Sequence, residues 1–331
     1  MSRLKAFLLI ALVAAILMAS ACGPEAPIAP HVAEEFPICT NPALRVWPAI
    51  SGDSVVWDDE RNGNLDIYGY DLATDAEFPI CTNPASQDYP AISGGVVVWQ
   101  DDRNAILDIY NWDIYGYDLA TDAEFPICTN PATQGDPAIS GEIVVWYDVR
   151  NDNWDIYGYN LSTHTEFSIC TATNTQGCPA ISGDIVVWWD HRNGSWDIYG
   201  YNLATSTEFA ICTNPADQYN PAISGEIVVW CDERNGNFDI YGYNLATDTE
   251  FPICTNPATQ SLPTISGDIM VWQDDRNGNF DIYGYDLATA TEFSICTDSA
   301  WQVHPAISGD IVVWQDMRND NLDIYGARLE R

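Results

Sequence analysis

Three observations predict an all-β fold: a seven-bladed β-propeller of four-stranded antiparallel blades. First, the tetrapeptide Pro-Ala-Ile-Ser (once Pro-Thr-Ile-Ser) begins at Pro48, Pro90, Pro137, Pro179, Pro221, Pro263 and Pro305, at spacings of 42 residues with a single 47. A fixed period of roughly 40–45 residues matches one four-stranded blade. Second, every unit is built of short apolar, β-branched runs separated by turn residues, and none contains a credible helix. Third, the repeat is out of phase with the ends of the chain. Glu35-Phe-Pro-Ile-Cys-Thr40 reads as a fourth strand with no first three, and Ile324-Tyr-Gly-Ala-Arg-Leu329 reads as a third strand with no fourth. Pairing the two completes the seventh blade and closes the ring, which leaves no open sheet edge.

Within a unit the elements follow in one order. Asp184-Ile-Val-Val-Trp188 follows the Ser-Gly turn as a strand buried on both faces. Residues 190–195 form a polar loop with an Asn-Gly hairpin signal. Asp197–Leu203 then reads as a third strand and Glu208–Thr213 as a fourth.

The first 21 residues have a basic start, an apolar stretch from Ala6 to Ala21 and small residues before Cys22. That pattern predicts a secretory signal. Ala19-Ser20-Ala21-Cys22 resembles a prokaryotic lipobox, with Ala19 where Leu is commoner, so Cys22 is the expected lipidation site. Residues 22–33 read as a lipidated, Pro/Ala-rich tether and 34–331 as the propeller. The protein is thus expected to be exported, and to meet a membrane only through its lipid.

Ten cysteines in an exported chain would ordinarily suggest disulfides. Here seven of them (Cys39, Cys81, Cys128, Cys170, Cys212, Cys254 and Cys296) occupy one equivalent position per blade. Equivalent positions in neighbouring blades are too far apart to bridge, so these read as small buried hydrophobes. Cys178 and Cys231 break the pattern, and a Cys170–Cys178 bridge across the blade junction stays open.

The formal charge is −36. Arg3 and Lys5 are the only charged residues of the signal, so the rest of the chain stands near −38 and has no lysine. Binding of nucleic acid or anionic headgroups needs basic patches and is not expected. Asp53, Glu142, Asp184, Glu226, Asp268 and Asp310 could ring one channel mouth, which leaves calcium as a weak cofactor expectation against their reading as ordinary turn acids. No other cofactor is expected.

Comparing the blades with one another separates scaffold from candidate site. The Trp57, Trp99, Trp146, Trp188, Trp230, Trp272 and Trp314 series recurs in every blade, as do Arg61, Asp59, Asp66 and their counterparts. Such recurrence points to a structural hairpin tied by Arg–carboxylate bonds. Three other positions vary. The residue before the blade-opening Pro is, in order, Trp47, Tyr89, Asp136, Cys178, Asn220, Leu262 and His304. The residue after the core Trp is Asp58, Gln100, Tyr147, Trp189, Cys231, Gln273 and Gln315. Two places later stand Glu60, Asp102, Val149, His191, Glu233, Asp275 and Met317. Propeller topology puts all three series on one rim of the channel. The opposite face carries uniform Ser-Gly-Asp/Glu turns. Aromatic residues are good material for a recognition surface, so the diversified rim is the candidate binding site. Blade two also carries extra residues within Asn104–Asp113 on that face.

The unit Pro-Ala-Ile-Ser-Gly-Asp-Ile-Val-Val-Trp-x-Asp-x-Arg-Asn-Gly-Asn-x-Asp-Ile-Tyr resembles the repeats of TolB-type propellers, most closely those of cell-surface proteins of methanogenic archaea. The likeness spans about residues 34–331. It departs from TolB in the shortened Ser-Gly-Asp turn and in showing no preceding α/β segment, so a role in the Tol system is not implied. The resemblance implies extracellular protein or ligand binding and carries no shared catalytic set. The expectation is therefore a monomeric, surface-anchored module that binds a protein or a glycan. A passive cation-binding envelope component is the first alternative, and a glycan lyase or hydrolase the second. His31, His164, His191 and His304 lack motif spacing, and neither Gly-x-Ser-x-Gly nor His-Glu-x-x-His occurs, so an enzyme is not expected.

Overall fold

The computed structural model describes residues 28–105 and 111–331. The signal segment, Cys22 and the middle of the blade-two insertion lie outside the described residues. The rest forms seven four-stranded antiparallel sheets arranged as a propeller. Blade one runs through Arg45–Ser51, Ser54–Asp59, Asp66–Asp71 and Ala76–Cys81. The next five blades repeat this pattern. In blade seven the first three strands, Gln302–Ser308, Ile311–Asp316 and Asp323–Glu330, come from the C-terminal end, and the fourth, His31–Cys39, comes from the N-terminal side. The ring therefore closes as the repeat phase predicts. The closing strand starts at His31, inside the stretch read as tether.

The first strand of each blade lines the channel, and the second carries the packing. Val55, Val56 and Trp57 are wholly buried, as are their counterparts in the other blades. Successive side chains of this strand face opposite neighbours. Val56 packs with Ile67, Ile80 and Trp99 of the next blade, whereas Val55 and Trp57 pack with Ile38 and Ile324 of the preceding one. A strand covered on both faces has no polar side to present, hence the unbroken apolar run.

The third strand carries a glycine over which a phenylalanine ring of the fourth strand lies, so any side chain there would have to displace that ring. A Cβ at Gly69 would lie 2.7 Å from the Phe78 ring of the fourth strand, and the same contact recurs in every blade.

An inter-blade clasp surrounds each core Trp. Trp57 Nε1 donates to Asp59 Oδ2 at 3.0 Å, and Arg61 bonds both oxygens of Asp59. The Arg61 guanidinium lies 4.0 Å above the Tyr68 ring, pairs with Glu77, and donates to Cys39 Sγ of the preceding blade at 3.6 Å. The Asp59 carboxylate is fully buried, so the Arg–carboxylate tie expected of the hairpin is an internal one. It belongs to the class of pairs whose disruption strands a buried charge. The repeated cysteines are buried and free, as expected, but each thiol also accepts an arginine N–H. Cys170 and Cys178 are both free: Cys170 sits in the outer strand beside Arg192, whereas Cys178 lines the channel and meets Asn220 at 3.7 Å. The open Cys170–Cys178 bridge is thereby corrected.

The uniform face is a closed ring of hydrogen bonds. The Gly52 N–H bonds Ser308 Oγ, Gly94 bonds Ser51, and each following turn glycine bonds the serine of the preceding blade, at 2.9–3.0 Å in all seven cases. These glycines have φ near +55°, a left-handed conformation that suits Gly. A turn that fastens every blade to its neighbour cannot vary, which accounts for the sameness of this face. Asp53, Glu142, Asp184, Glu226, Asp268 and Asp310 are exposed on these turns. Among the described residues, no group of three or more His, Cys, Asp or Glu side chains is placed to hold a metal ion.

Candidate functional site

At the other end of the channel the first strands are bulged. Register shifts between Val46 and Ala49, and at the same place in every other blade, leave the residue before the proline unpaired. All seven of these residues are in the left-handed region, with φ between 47° and 55°. Only Asp136 and Asn220 are types that tolerate it well. Trp47, Tyr89, Cys178, Leu262 and His304 hold it at a cost of order 1 kcal/mol each. The bulge turns each of the seven side chains into a cavity of about 430 Å³ at the channel mouth.

The residue after the core Trp does not stand on the rim beside them. Asp58, Gln100, Cys231, Gln273 and Gln315 are buried, so their placement as rim residues is corrected. Three of them support the bulge of the next blade. Asp58 Oδ2 accepts the Tyr89 N–H at 3.2 Å, Gln100 Oε1 the Asp136 N–H at 3.2 Å, and Gln273 Oε1 the His304 N–H at 3.1 Å. Tyr147 and Trp189 occupy the same place differently. They cross the first strand opposite Gly135 and Gly177, where a Cβ would meet their rings at 2.6 Å in both cases. In blade five the sizes reverse, with Tyr219 opposite Cys231. The pair conserves volume, a coupling that a reading of single positions misses.

The third variable series is mixed. Asp102 and Asp275 accept the Ser86 and Thr259 N–H groups at 2.6 Å, His191 leans on Trp196, and Glu60 and Met317 are exposed.

The structure adds a series that sequence comparison passed over: the residue before the third-strand aspartate, including Trp154, Trp196, Phe238 and Phe280. Their rings interleave with the second series. Tyr147 stacks on Trp154 at 4.3 Å, Trp154 lies 6.0 Å from Trp189, Trp189 meets Trp196 edge-on at 4.4 Å, and Tyr219 continues the contacts to Phe238. An arc of rings thus runs over blades three to five. Trp154 is 37% exposed, and Trp301, packed on Phe280, is 54% exposed. The signal was present in the sequence as a large apolar residue at a loop end, where a polar one would suffice.

At the channel mouth four neighbouring blades supply a contiguous set. Trp47 stacks on Tyr89 at 4.5 Å and meets His304 edge-on at 4.2 Å. Asp136 follows, in the blade after that of Tyr89. Its pKa is pushed up to about 6, first by burial and then by Asp88. Asp58, behind Tyr89, is raised well above the carboxylate range by burial and by its contact with Asp88. Burial also pushes the His304 imidazole down.

No family model matches the chain, and no curated protein matches it. Solved structures do. An oligogalacturonate lyase in complex with manganese aligns with a TM-score of 0.71 at 14% identity, over 92% of this chain and 97% of the lyase. The β-propeller domain of the Trilobed protease from Pyrococcus furiosus aligns at 0.69 and 14%, over 87% and 95%. TolB from Acinetobacter baumannii aligns at 0.53 and 15%, over 85% and 78%. Peptidase structures match as well. These likenesses correct the expectation that the chain is not an enzyme: the same propeller occurs in a lyase and in peptidases, so neither the fold nor the lack of a familiar motif excludes catalysis. At these identities they show the fold and assign no reaction. The chain is a seven-bladed β-propeller that shares its architecture with TolB, with an oligogalacturonate lyase and with the propellers of several peptidases.

Proposed function

We propose that the protein is an exported recognition module, held to a membrane by a lipid on Cys22, whose diversified face binds an extracellular protein or glycan. The observation that carries this reading is the contrast between the two faces. One is fastened by a ring of seven identical serine–glycine bonds. The other concentrates the aromatic arc of blades three to five, exposed Trp301 and the seven unlike residues of the channel mouth. Large rings with partial exposure are the usual anchors of recognition surfaces.

The test is capture of solubilised envelope proteins and of arrayed glycans by the full-length protein, beside a Trp154→Ala/Trp301→Ala variant. Both side chains are exposed enough for their loss to leave the fold intact. Retention by the parent, lost in the variant at unchanged melting temperature, supports the reading. Failure of the parent to retain any protein or glycan overturns it.

A further inference from the structure

The seven residues of the channel mouth are sorted. Blades seven, one, two and three contribute His304, Trp47, Tyr89 and Asp136 in sequence around the ring, three rings followed by a carboxylate. The cavity wall adds the prolines that follow each bulge, Leu262, and the smaller polar groups of Cys178, Asn220 and Thr264, and it contains no arginine or lysine.

The negative charge there has no partner. The Asp136 carboxylate accepts no hydrogen bond among the described residues, although its own N–H is bonded by Gln100. Asp58, behind the wall, faces Asp88, and burial with that contact holds its carboxyl in the neutral form, so Asp136 is the charge left at the mouth. Every arginine of the described residues is spent elsewhere: seven in the inter-blade clasps, Arg45 in a buried pair, and Arg328 and Arg331 with Asp310 and Asp286. A buried or half-buried charge without a counter-ion is costly. A chain of net charge −36 also draws cations toward its openings.

The chemistry of the wall selects among cations. No cluster of three metal-binding side chains is present among the described residues. A compact, strongly hydrated ammonium would lose its water against prolines, leucine and ring carbons and find few acceptors in return. A bulky, weakly hydrated cation loses little there and gains from aromatic rings and one carboxylate. A cavity of about 430 Å³ admits a trimethylammonium group with room to spare.

We propose that the cavity at the channel mouth binds a methylated ammonium group, with Trp47, Tyr89 and His304 receiving its methyls and Asp136 its charge. This rests on the recognition reading above and names the ligand chemistry of one part of that face. The group is carried either by a free small molecule or by a methylated side chain of a larger partner.

The experiment is calorimetric titration of the full-length protein with tetramethylammonium chloride, against ammonium and sodium chlorides at equal ionic strength. The same titration is run on Trp47→Leu and Asp136→Asn. Both replacements copy residues that other blades hold on the same backbone, Leu262 and Asn220, so both variants keep the bulge. Saturable binding of tetramethylammonium alone, weakened at least tenfold in each variant, is the expected result. No binding beyond that of sodium, equal binding of ammonium, or unchanged binding in both variants overturns the proposal. A trimethyllysine peptide and its unmodified form then distinguish the two sources: tighter binding of the methylated peptide than of tetramethylammonium indicates a protein partner, and the reverse indicates a small molecule. Either result presupposes the methylammonium site. Trp154 and Trp301 lie outside the cavity lining, so loss of capture in their variant with tetramethylammonium binding intact separates failure of this proposal from failure of the wider one.

Discussion

A tryptophan, a leucine and a histidine hold the same left-handed backbone at Trp47, Leu262 and His304, a conformation that none of them prefers. The cost is tolerated because the bulge is fixed from outside: the proline follows it, and in three blades a buried side chain of the preceding blade accepts its N–H. Identity is thus free at the cavity while conformation is not. Asp136 shows what such freedom costs. Burial and Asp88 raise its folded-state pKa to about 6 from an ordinary 3.8. The raised value means that the unfolded chain loses this proton first, so stability falls as pH rises from about 4 to about 6 and then levels. Asp136→Asn removes that slope. The variant should equal the parent near pH 3.5 and exceed it at pH 7 by about 2–3 kcal/mol, the linkage value of a two-unit shift. Urea unfolding at both pH values checks this, and a constant difference between parent and variant would show that Asp136 is not the titrating group.

Strands, not single residues, decide which variation is meaningful. The position after the core Trp looked like rim because it ends a strand and varies, yet it is paired across the sheet with the residue two places before the proline. Gly135 faces Tyr147 and Gly177 faces Trp189, where a Cβ would collide with the ring. Blade six solves the same space with Ser261 and Gln273, joined by a bond of 2.9 Å. Gly135→Ser alone should therefore cost about 1–3 kcal/mol by overpacking, and Tyr147→Gln alone a similar amount by leaving a void. Together they recreate the blade-six pair, and the double variant should lose less than the sum of the two. A double-mutant cycle measures the coupling; additive losses would mean that the two positions vary independently. The blade count, the strand order and the core series were legible because the same physics repeats seven times. This pairing, and the aromatic arc through Trp154 and Trp196, were harder to see. Their partners come together only across the sheet or between blades, at sequence distances that no local period marks.

Ring closure needs more than one strand pair. Among the described residues, the order of strands within a blade is broken once, between the third and fourth strands of blade seven, where Asp323–Glu330 meets His31–Cys39. These strands have eight and nine residues, against six for the corresponding strands elsewhere. Arg318 also reaches across the break to Glu35. A further fastening bypasses the closing strand. Where the other six blades begin with a buried glutamine, blade one begins with Arg45, whose Nε bonds Asp59 and whose Nη1 bonds Asp323, each at 3.2 Å. All three side chains are fully buried. The third strand of blade seven is thereby tied directly to blade one. Removing one partner of such a group leaves buried charge behind and costs about 3–5 kcal/mol. Arg45→Met should lose about that much at neutral pH. Arg45→Gln restores the residue of the other blades, whose side-chain amide reaches a nearby backbone carbonyl, and it should recover more than half of the loss. Hydrogen exchange locates the effect: in Arg45→Met the amides of Asp323–Glu330 should exchange faster than those of the matching strand Asp197–Asn202 in blade four, whereas in the parent the two should be alike. Equal stability of the Met and Gln variants, or uniform loss of protection around the ring, would mean that the strand pair alone keeps the propeller closed.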